Sequence, residues 1–435
     1  MERFALSRMK EWKENENRKP LIIRGARQVG KTWIMKTFGQ QYFEKTAYVN
    51  FDNNARMKQV FEGDLDIERL VLAISAETGV SIEAENTLII FDEIQEVPKA
   101  LTSLKYFHEN APQYAIVAAG SLLGVALHQG TSFPVGKVDF LDLYPLNFRE
   151  FLCAMGEKQF VSMLDSCDTQ MVTVFKTKYI ERLREYYFVG GMPEVVKDFS
   201  EKKDYNRVRA IQKNLINYYQ QDFSKHAEIK LVPRLNLVWN SIPMQLAKEN
   251  KKYIYGQVRE GSRAKDFELA IQWLLDCGLI HKVQRIQKPG LPLKAYIDFD
   301  AFKLFLVDIG LLIAMTDLDA KVIIEGNKIF TEFKGSLTEQ YILQQLISDV
   351  GVIPYYYSTQ NSKGEIDFLV QGKTSVIPIE VKAEENLKAK SLKAFCEKYQ
   401  PSYAVRTSMS DYREQDWMTN IPLYAIKWIE NYVNQ

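Results

Sequence analysis

The stretch Gly25-Ala-Arg-Gln-Val-Gly-Lys-Thr32 decides the fold, because it matches the phosphate-loop pattern G-x-x-x-x-G-K-[ST] at every fixed position. A short apolar run, Leu21-Ile22-Ile23, precedes it, and a helical pattern from Trp33 to Phe38 follows. This is the strand–loop–helix order that a phosphate loop requires. Glycines let the backbone wrap closely around phosphates, and the N-terminus of the following helix adds positive potential. We therefore expect a nucleotide site here.

Side chains of this loop have predicted roles on the nucleotide. Lys31 can reach the β- and γ-phosphates, and Thr32 can offer its hydroxyl to Mg²⁺. We expect the nucleotide to be held by a larger set around them, which comprises Gly25, Gln28, Val29, Gly30, Lys31, Thr32, Trp33 and Asp92.

The stretch Leu88-Ile-Ile-Phe-Asp-Glu93 supplies the second half of the site. Its apolar part predicts a buried strand, and Asp92 stands at the carboxyl end, where an open α/β sheet places its ligands. We expect Asp92 to hold the magnesium shell and Glu93 to polarise the attacking water. An ordinary core strand that ends in a solvated acidic turn is the alternative, but it does not explain the pairing with a phosphate loop.

ATP is the expected nucleotide. A GTPase usually carries an Asn-Lys-x-Asp motif, whereas Asn327-Lys328 is followed here by Ile329-Phe330. A further apolar strand, Ile116-Val-Ala-Ala-Gly-Ser121, ends in a small polar residue. In ATPases with an additional strand, a polar residue at that position senses the γ-phosphate, so we predict this role for Ser121. A plain β-turn is the alternative.

Composition sets few limits on the partners of the protein. The net charge is +1 over 435 residues, a length that allows two or three domains. Four scattered cysteines without a C-x-x-C pair fit a reducing cytoplasm better than a disulfide framework or a zinc site. The N-terminus lacks a long apolar region, and the apolar stretch 302–315 is too short to span a bilayer. We expect a cytoplasmic protein with no membrane partner.

The first part of the chain, residues 1–145, alternates strands and helices, which implies a parallel sheet with helices on both faces. Strands are predicted at 21–24, 47–51, 87–92, 115–120 and 138–144, and helices at 31–41, 54–62, 64–78 and 98–110. Residues 146–230 are predicted to be mostly helical, with an interruption at Val189-Gly-Gly-Met-Pro-Glu194. We expect this second part to form a helical lid over the nucleotide.

Residues 231–298 are predicted to form a winged helix-turn-helix. One helix covers about 233–249, a second runs from Ser262 to Gly278, and strands near 279–283 and 295–298 form the wing. Residues 205–290 hold 15 Lys and Arg against 7 Asp and Glu. A basic winged helix is a candidate for binding duplex DNA. A module that serves only for packing or as a hinge is the alternative.

Residues 299–435 begin a new pattern, with a helix near 334–348 and strands at 353–358, 365–370 and 375–382. Glu380 and Lys382 are two apart on a strand and share one face. The preceding strand can bring Asp367 beside them. Two carboxylates and a lysine on one sheet face predict a Mg²⁺ site with a water-positioning lysine. Mixed charges that pair with each other are the alternative.

The chain resembles the bacterial and archaeal AAA-type ATPases that are fused to a C-terminal domain of unknown function (DUF4143). The resemblance rests on residues 24–32, Phe91-Asp-Glu-Ile-Gln95, Gly120-Ser121, residues 144–151, Gly190-Gly-Met-Pro-Glu194, Asp308-Ile-Gly310, Glu365-Ile-Asp367 and Ile379-Glu-Val-Lys382. It implies an α/β fold with a P-loop AAA-type parallel-sheet ATPase core, a helical lid, a winged helix-turn-helix segment and a C-terminal restriction-endonuclease-like α/β domain, similar to PD-(D/E)XK nucleases.

The resemblance also implies roles for individual residues. Glu339, Asp367 and Glu380 occupy the metal-ligand positions of the nuclease pattern, with Lys382 beside them. Lys137 stands where the family tends to have arginine, so it keeps the charge but loses the bidentate fork. We further predict that Arg149 serves as an arginine finger, and a lid salt bridge is its alternative.

Two hypotheses follow from these patterns. The first is a Mg-dependent ATPase that couples its nucleotide state to a DNA-directed C-terminal domain. The second is a nucleotide-dependent switch or scaffold that binds a protein partner and carries an inactive nuclease-like fold. Glu93 favours hydrolysis, and the Glu/Asp/Glu/Lys set favours metal chemistry.

Overall fold

A computed structural model describes residues 1–120, 133–248, 251–324, 331–359, 364–384 and 389–435, without the side chains of residues 331 and 332. The chain separates into two compact units. We call residues 2–144 with 276–279 the N-terminal unit. The C-terminal unit contains residues 1, 145–275 and 280–435. The division into four domains with boundaries at 145, 230 and 298 stays a prediction.

The N-terminal unit is built on a five-stranded sheet in which all strands are parallel. Its strands are β1 (Leu21–Arg24), β2 (Lys45–Asn50), β3 (Thr87–Asp92), β4 (Ala115–Ala119) and β5 (Asp139–Asp142), in the order β2-β3-β4-β1-β5. The five predicted strands are confirmed. Strand β4 lies between β1 and β3, which is the additional-strand arrangement. Because the strands are parallel, their carboxyl ends meet at one edge of the sheet.

The helices of this unit are α1 (Ala5–Glu14), α2 (Lys31–Tyr42), α3 (Ala55–Glu62), α4 (Ile67–Thr78) and α5 (Pro98–Asn110). Three of them begin at residue types that favour the start of a helix. Asn54 and Asp66 cap α3 and α4 by accepting hydrogen bonds from backbone N–H groups of the first turn. Pro98 opens α5, where its missing N–H costs nothing.

A buried aromatic cluster fixes the position of β3. Phe51, Phe61 and Phe91 have ring centroids 5.3–5.7 Å apart. They belong to the core that β2, β3 and β4 share with α3, α4 and α5. Offset and edge-to-face rings of this kind stabilise a core beyond the area they bury. The packing therefore holds the end of β3, and with it Asp92, at a defined place on the sheet edge.

The first part of the C-terminal unit is helical, as predicted for residues 146–230. Its helices are α6 (Phe148–Ala154), α7 (Lys158–Asp165), α8 (Thr169–Val174), α9 (Lys176–Val189), α10 (Pro193–Lys202), α11 (Tyr205–His226), α12 (Val232–Leu246), α13 (Tyr255–Val258) and α14 (Ala264–Asp276). The last residue of α14 belongs to the N-terminal unit.

The C-terminal unit also contains an eight-stranded mixed sheet. Its strands are β6 (Ile280–Ile286), β7 (Ile297–Leu306), β8 (Tyr355–Ser358), β9 (Glu365–Gln371), β10 (Val376–Val381), β11 (Val405–Ser408), β12 (Arg413–Gln415) and β13 (Met418–Pro422), in the order β12-β13-β11-β10-β9-β8-β6-β7. The two predicted wing strands, β6 and β7, pair with each other, but β6 also pairs with β8. They are therefore part of this sheet and not a free-standing wing.

The remaining helices of the unit are α15 (Ile309–Met315), α16 (Ala320–Ile324), α17 (Thr331–Gln345), α18 (Lys390–Tyr399) and α19 (Glu430–Val433). Across the described ranges, no helix combines the length and the apolar character needed to cross a bilayer.

The sequence motifs Gly190-Gly-Met-Pro-Glu194 and Asp308-Ile-Gly310 contact each other inside the C-terminal unit. The buried carboxylate of Asp308 accepts hydrogen bonds from Gly191 N at 2.6 Å and Leu311 N at 3.1 Å. Gln344 Nε2 donates to the same carboxylate at 3.3 Å. Burial raises the pKa of Asp308 to about 6. The Gly-Gly-Met-Pro-Glu and Asp-Ile-Gly motifs therefore contact each other in the core, where they provide hydrogen bonds to a buried carboxyl group.

Candidate functional site

The loop after β1 has the backbone conformation that a phosphate loop needs. Gly30 caps α2 with φ of 96°, a left-handed conformation that glycine adopts without cost. Gln28 also has a positive φ, of 67°. Its Oε1 atom is buried and has no hydrogen-bond partner within the described part of the chain. Backbone strain and an unpartnered buried acceptor in one loop are features of a binding site.

Lys31 is held close to this loop. Its Nζ donates to Gly25 O and to Ala26 O, both at 2.8 Å, and the side chain is almost buried. Burial lowers the pKa of Lys31 to about 8, against the opposing negative charges of Glu93 and Asp92. Because this ammonium group has little water around it, its interaction with an anionic ligand is more favourable than that of an exposed ammonium group.

Thr32 and Asp92 come together as predicted for magnesium ligands. Thr32 Oγ1 donates to Asp92 Oδ2 at 2.7 Å, and Tyr48 OH donates to the same oxygen at 2.8 Å. A hydroxyl and a carboxylate at one point are hard oxygen donors, so the residues fit Mg²⁺. The sequence did not single out Tyr48, which β2 places opposite β3. Burial and the hydrogen bond to Asp92 raise the pKa of Tyr48 to about 12, so it remains a donor.

Glu93 lies directly after Asp92 in a strained conformation. Its φ and ψ are 52° and 44°, which non-glycine residues adopt rarely. Gln95 Nε2 donates to Glu93 Oε2 at 2.7 Å. The short helical turn Ile94–Glu96 brings Gln95 back over the carboxylate. Gln95 therefore orients the residue predicted to polarise water, a role that the sequence motif contained but did not reveal.

The other predicted residues of the nucleotide site have different surroundings. Val29 is fully buried, and its carbonyl accepts a hydrogen bond from Arg3 Nη1 at 3.0 Å. The sequence did not indicate this stabilising contact. Trp33 is 42% exposed at the start of α2. Ser121 lies outside the described residues, so its role as a γ-phosphate sensor stays a prediction.

The structure does not support Arg149 as an arginine finger. Its guanidinium contacts Asp349 Oδ1 at 2.8 Å and also pairs with Asp165, and only 12% of its side chain is exposed. A finger must reach a phosphate, whereas this arginine joins α6 to two carboxylates of its own unit. The alternative, a lid salt bridge, describes the contacts of Arg149.

Lys137, which stands where the resembling family tends to have arginine, also forms an ion pair, with Glu109 Oε1 at 2.9 Å.

Two of the predicted nuclease carboxylates lie in a buried cluster with lysines. Glu339 and Asp367 share a side-chain hydrogen bond. Lys251 pairs with Glu339, while Lys303 lies 3.6 Å from Glu339 Oε2 and also pairs with Glu365. Burial, and then the charge of Glu339, raises the pKa of Asp367 to about 8. The pKa of Lys303 is raised by Glu339 and Glu365 although burial opposes it.

The third predicted ligand, Glu380, has other partners. Its Oε1 lies 2.6 Å from Lys382 Nζ, and its Oε2 accepts from Leu392 N at 3.3 Å. The register of β8 and β9 shifts between the pairs Tyr355–Leu369 and Tyr357–Ile366, so the pairing of β9 with β8 is irregular between Ile366 and Leu369. Asp367 Oδ2 accepts a hydrogen bond from Val381 N at 2.7 Å.

These contacts do not fit a divalent cation shared by Glu339, Asp367 and Glu380. In the described ranges, no group of three or more His, Cys, Asp or Glu side chains is arranged to hold a metal ion. Ammonium groups stand beside the carboxylates in the positions where a cation would have to bind. The alternative of mixed charges that pair with each other therefore describes this part of the structure.

Comparisons with known family models agree with the fold of the N-terminal unit. Residues 17–152 match the model of an AAA domain (AAA_14). Residues 180–322 and 334–426 match two domains of unknown function, DUF8612 and DUF4143. The N-terminal unit thus contains a P-loop domain of the AAA type. The protein joins this AAA domain to a C-terminal DUF4143 domain, as the sequence resemblance implied. The further likeness to PD-(D/E)XK nucleases stays a prediction.

Solved structures with related folds are distant in sequence. The Walker-type ATPase PABY2304 of Pyrococcus abyssi is 15% identical, with 72% of this chain and 95% of that chain covered and a TM-score of 0.44. ORC1 of Aeropyrum pernix, solved in complex with DNA, is 14% identical over 72% and 91%, with a TM-score of 0.27. Cdc6p of Pyrobaculum aerophilum is 10% identical over 74% and 93%, with a TM-score of 0.24. No curated protein matches the sequence. Likenesses this weak carry no functional conclusion.

The surroundings of Lys31 predict a pH dependence of nucleotide binding. Because the pKa of Lys31 is lowered to about 8, its charge is present below that pH and is lost above it. Affinity for ATP should therefore fall as the pH rises from 7 to 9, with proton uptake on binding near pH 8. Titration of a fluorescent ATP analogue at these pH values checks this. Constant affinity from pH 7 to 9 would show that Lys31 stays fully charged.

Proposed function

We propose that this protein is a Mg-dependent ATPase whose nucleotide state controls a DNA-directed part of the chain. The observation that carries the first half is the 2.7 Å hydrogen bond between Thr32 and Asp92, formed beside Lys31 and Glu93. ATP hydrolysis by this class of fold needs three groups: the hydroxyl of the phosphate loop, the carboxylate at the strand end and the acid next to it. Thr32, Asp92 and Glu93 supply them in this proposal.

Each residue has a defined task in this proposal. Lys31 leaves the carbonyls of Gly25 and Ala26 and binds the β- and γ-phosphates. Thr32 and Asp92 would hold Mg²⁺, which neutralises charge on the phosphates when bound. Glu93, oriented by Gln95, accepts a hydrogen bond from the attacking water and directs it toward the γ-phosphate. Positioning and charge stabilisation account for most of the rate enhancement in phosphoryl transfer.

A basic surface at the start of α14 supports duplex DNA as the partner. Asp266 accepts from Arg263 N at 2.8 Å, and this bond, followed by the charges of Lys265, Arg259 and Arg234, lowers its pKa. The four basic residues are all exposed. They form a cluster of four positive charges around one carboxylate, which suits the phosphates of a nucleic-acid backbone.

We expect the affinity for duplex DNA to fall steeply with salt. Each neutralised phosphate contributes about −0.9 to the slope of log affinity against log salt. Arg263→Ala combined with Lys265→Ala should therefore reduce the magnitude of the slope by about 2. Fluorescence anisotropy with a labelled duplex measures it, and Lys178→Ala, an exposed lysine paired with Glu181, is the control. An unchanged slope in the double variant would remove this surface from the proposal.

Coupling is tested by measuring ATP affinity and Mg-dependent phosphate release with and without the duplex. If the two ligands are coupled, the duplex should change the Kd for ATP by about 5-fold or more, and ATP should change the Kd for the duplex by the same factor. If ATP and DNA bind independently, the nucleotide state does not control the DNA-directed part of the chain, and only the ATPase half of the proposal remains.

A second function has its own support. The ion pairs of Lys251 and Lys303 with Glu339 favour a C-terminal domain that binds without cleaving, as part of a nucleotide-dependent switch or scaffold for a protein partner. Incubation of the full chain with plasmid DNA and Mn²⁺ should leave the DNA intact, and nicked or linear products would contradict it. None of the four cysteines, all of which lie in the described residues, forms a disulfide, which fits the proposed cytoplasmic setting.

A further inference from the structure

A four-residue segment from the second half of the chain lies against the phosphate loop. Asp276–Leu279 joins α14 to β6 along the sequence, yet it belongs to the N-terminal unit. A methyl group added at Gly278 would lie 3.1 Å from Ala26 N and 3.6 Å from Gly25 C. The backbone of the segment is therefore in close contact with the two residues that open the phosphate loop.

The same two residues hold Lys31 in place. Lys31 Nζ donates to Gly25 O and Ala26 O, and in the proposed function the ammonium exchanges these hydrogen bonds for contacts with phosphate. Cys277, next to Gly278, is 4% exposed and lies near enough to Lys31 to influence its pKa. A rearrangement of the loop on nucleotide binding would therefore change the contact between Ala26 and Gly278.

The conformation and the surroundings of Gly278 both favour glycine. Its φ of +69° is in the left-handed region, and the space where a Cβ would stand is bounded by Ala26 N. Gly79 has nearly the same φ, +68°, but nothing lies within 4 Å of the position of its Cβ. An alanine at either position therefore introduces the same backbone strain, and only the alanine at 278 also presses on the phosphate loop.

We propose that Asp276–Leu279 is a positioning segment of the nucleotide site, which supports the phosphate loop at Ala26 and transmits its state to α14. The inference rests on the proposed ATPase function and adds the residues that link it to the basic surface. The link is covalent, since the segment follows α14, whose first turn carries Lys265 and whose start is flanked by Arg263. Gly278 touches no phosphate in this account and acts through the loop.

The decisive comparison is between Gly278→Ala and Gly79→Ala in the full chain. Overpacking of a close contact costs about 1–3 kcal/mol, so Gly278→Ala should weaken Mg·ATP binding by about 5- to 150-fold relative to Gly79→Ala. Thermal unfolding should show the loss caused by backbone strain in both variants and a further loss in Gly278→Ala, where the methyl group also presses on Ala26. Equal affinity for ATP in the two variants overturns the inference while leaving the proposed ATPase intact. Absence of ATP binding by the unchanged protein overturns both.

A second measurement does not depend on the folding of a variant. Amide hydrogen exchange of the unchanged chain should slow in residues 276–280 and in the last turn of α14 when Mg·ATP is added. Lys31→Ala at the same ATP concentration is the control and should show no such change. Exchange that is altered in the phosphate loop but unchanged in residues 276–280 contradicts the positioning role.

Discussion

Replacing Glu93 with glutamine is expected to reduce ATP turnover by about 100- to 10,000-fold, the contribution typical of a positioned base. The affinity for Mg·ATP should stay within about threefold of the original, because Glu93 is assigned to the water and not to the nucleotide. The amide keeps the size of the side chain and can still contact Gln95, but it accepts a proton poorly. Turnover and affinity are measured by phosphate release and by equilibrium titration.

The control for this prediction is Glu96→Gln. Glu96 lies in the same short helical turn but is exposed, and it pairs only distantly with Lys58 at 3.9 Å. Turnover in this variant should be unchanged. If Glu93→Gln hydrolyses ATP at the original rate, Glu93 does not direct the water, and another group must be sought.

Replacing Lys303 with methionine is expected to destabilise the C-terminal unit by about 3–5 kcal/mol, as for other buried ion pairs that lose one partner. Lys303 is completely buried and its ammonium lies between Glu339 and Glu365, with the ring of Tyr356 at 4.8 Å. Methionine fills the space but removes the cation that pairs with Glu365 and leaves Lys251 as the only cation beside Glu339 within the described residues. Urea unfolding, followed by tryptophan fluorescence, measures the loss.

Lys178→Met is the matched control, because Lys178 and Glu181 form an exposed pair with more than half of each side chain accessible. Such pairs contribute about 0–1 kcal/mol. If both variants lose a similarly small free energy of unfolding, the carboxylates around Lys303 do not depend on its charge. The interpretation of the cluster as a balanced set of charges would then be wrong.

The five strands of the N-terminal unit and helices α2 to α5 could be predicted from the sequence, whereas α1 and the segment Asp276–Leu279 were not. The strands of this unit are short apolar runs, and its motifs stand at strand ends, so local pattern and chemistry point to the same structure. Thr32 and Asp92 were placed correctly because parallel strands bring their carboxyl ends to one edge. Tyr48 and Arg3 could not be found in this way, since their contacts depend on strand register and on packing across the sequence.

The C-terminal unit shows what a pattern of alternating residues cannot reveal. The prediction of one metal site assumed that Glu380 and Lys382 share a strand face and that the preceding strand brings Asp367 beside them. Glu380 and Lys382 do pair, but Asp367 contacts Glu339 and accepts a hydrogen bond from Val381 N. Lys251 and Lys303, which balance the cluster, come from sequence positions far from the motif.

The predicted wing illustrates a related limit. Two strands joined by a turn were correctly expected at β6 and β7, but pairing of β6 with β8 involves residues about 70 positions apart. Pairing between distant strands leaves no local signature in the sequence. The hairpin could therefore be predicted, and its place in a larger sheet could not.

Equilibrium binding of Mg·ATP to the full chain and to Lys31→Ala is the critical test of the nucleotide site. We expect saturable binding at one site per chain. Lys31→Ala removes the charge that binds the β- and γ-phosphates, and the loss of such a partner costs about 2–5 kcal/mol, so binding should weaken by at least about 30-fold. Equal affinities in the two proteins, or no binding by the unchanged chain, would contradict the assignment of this loop as the nucleotide site.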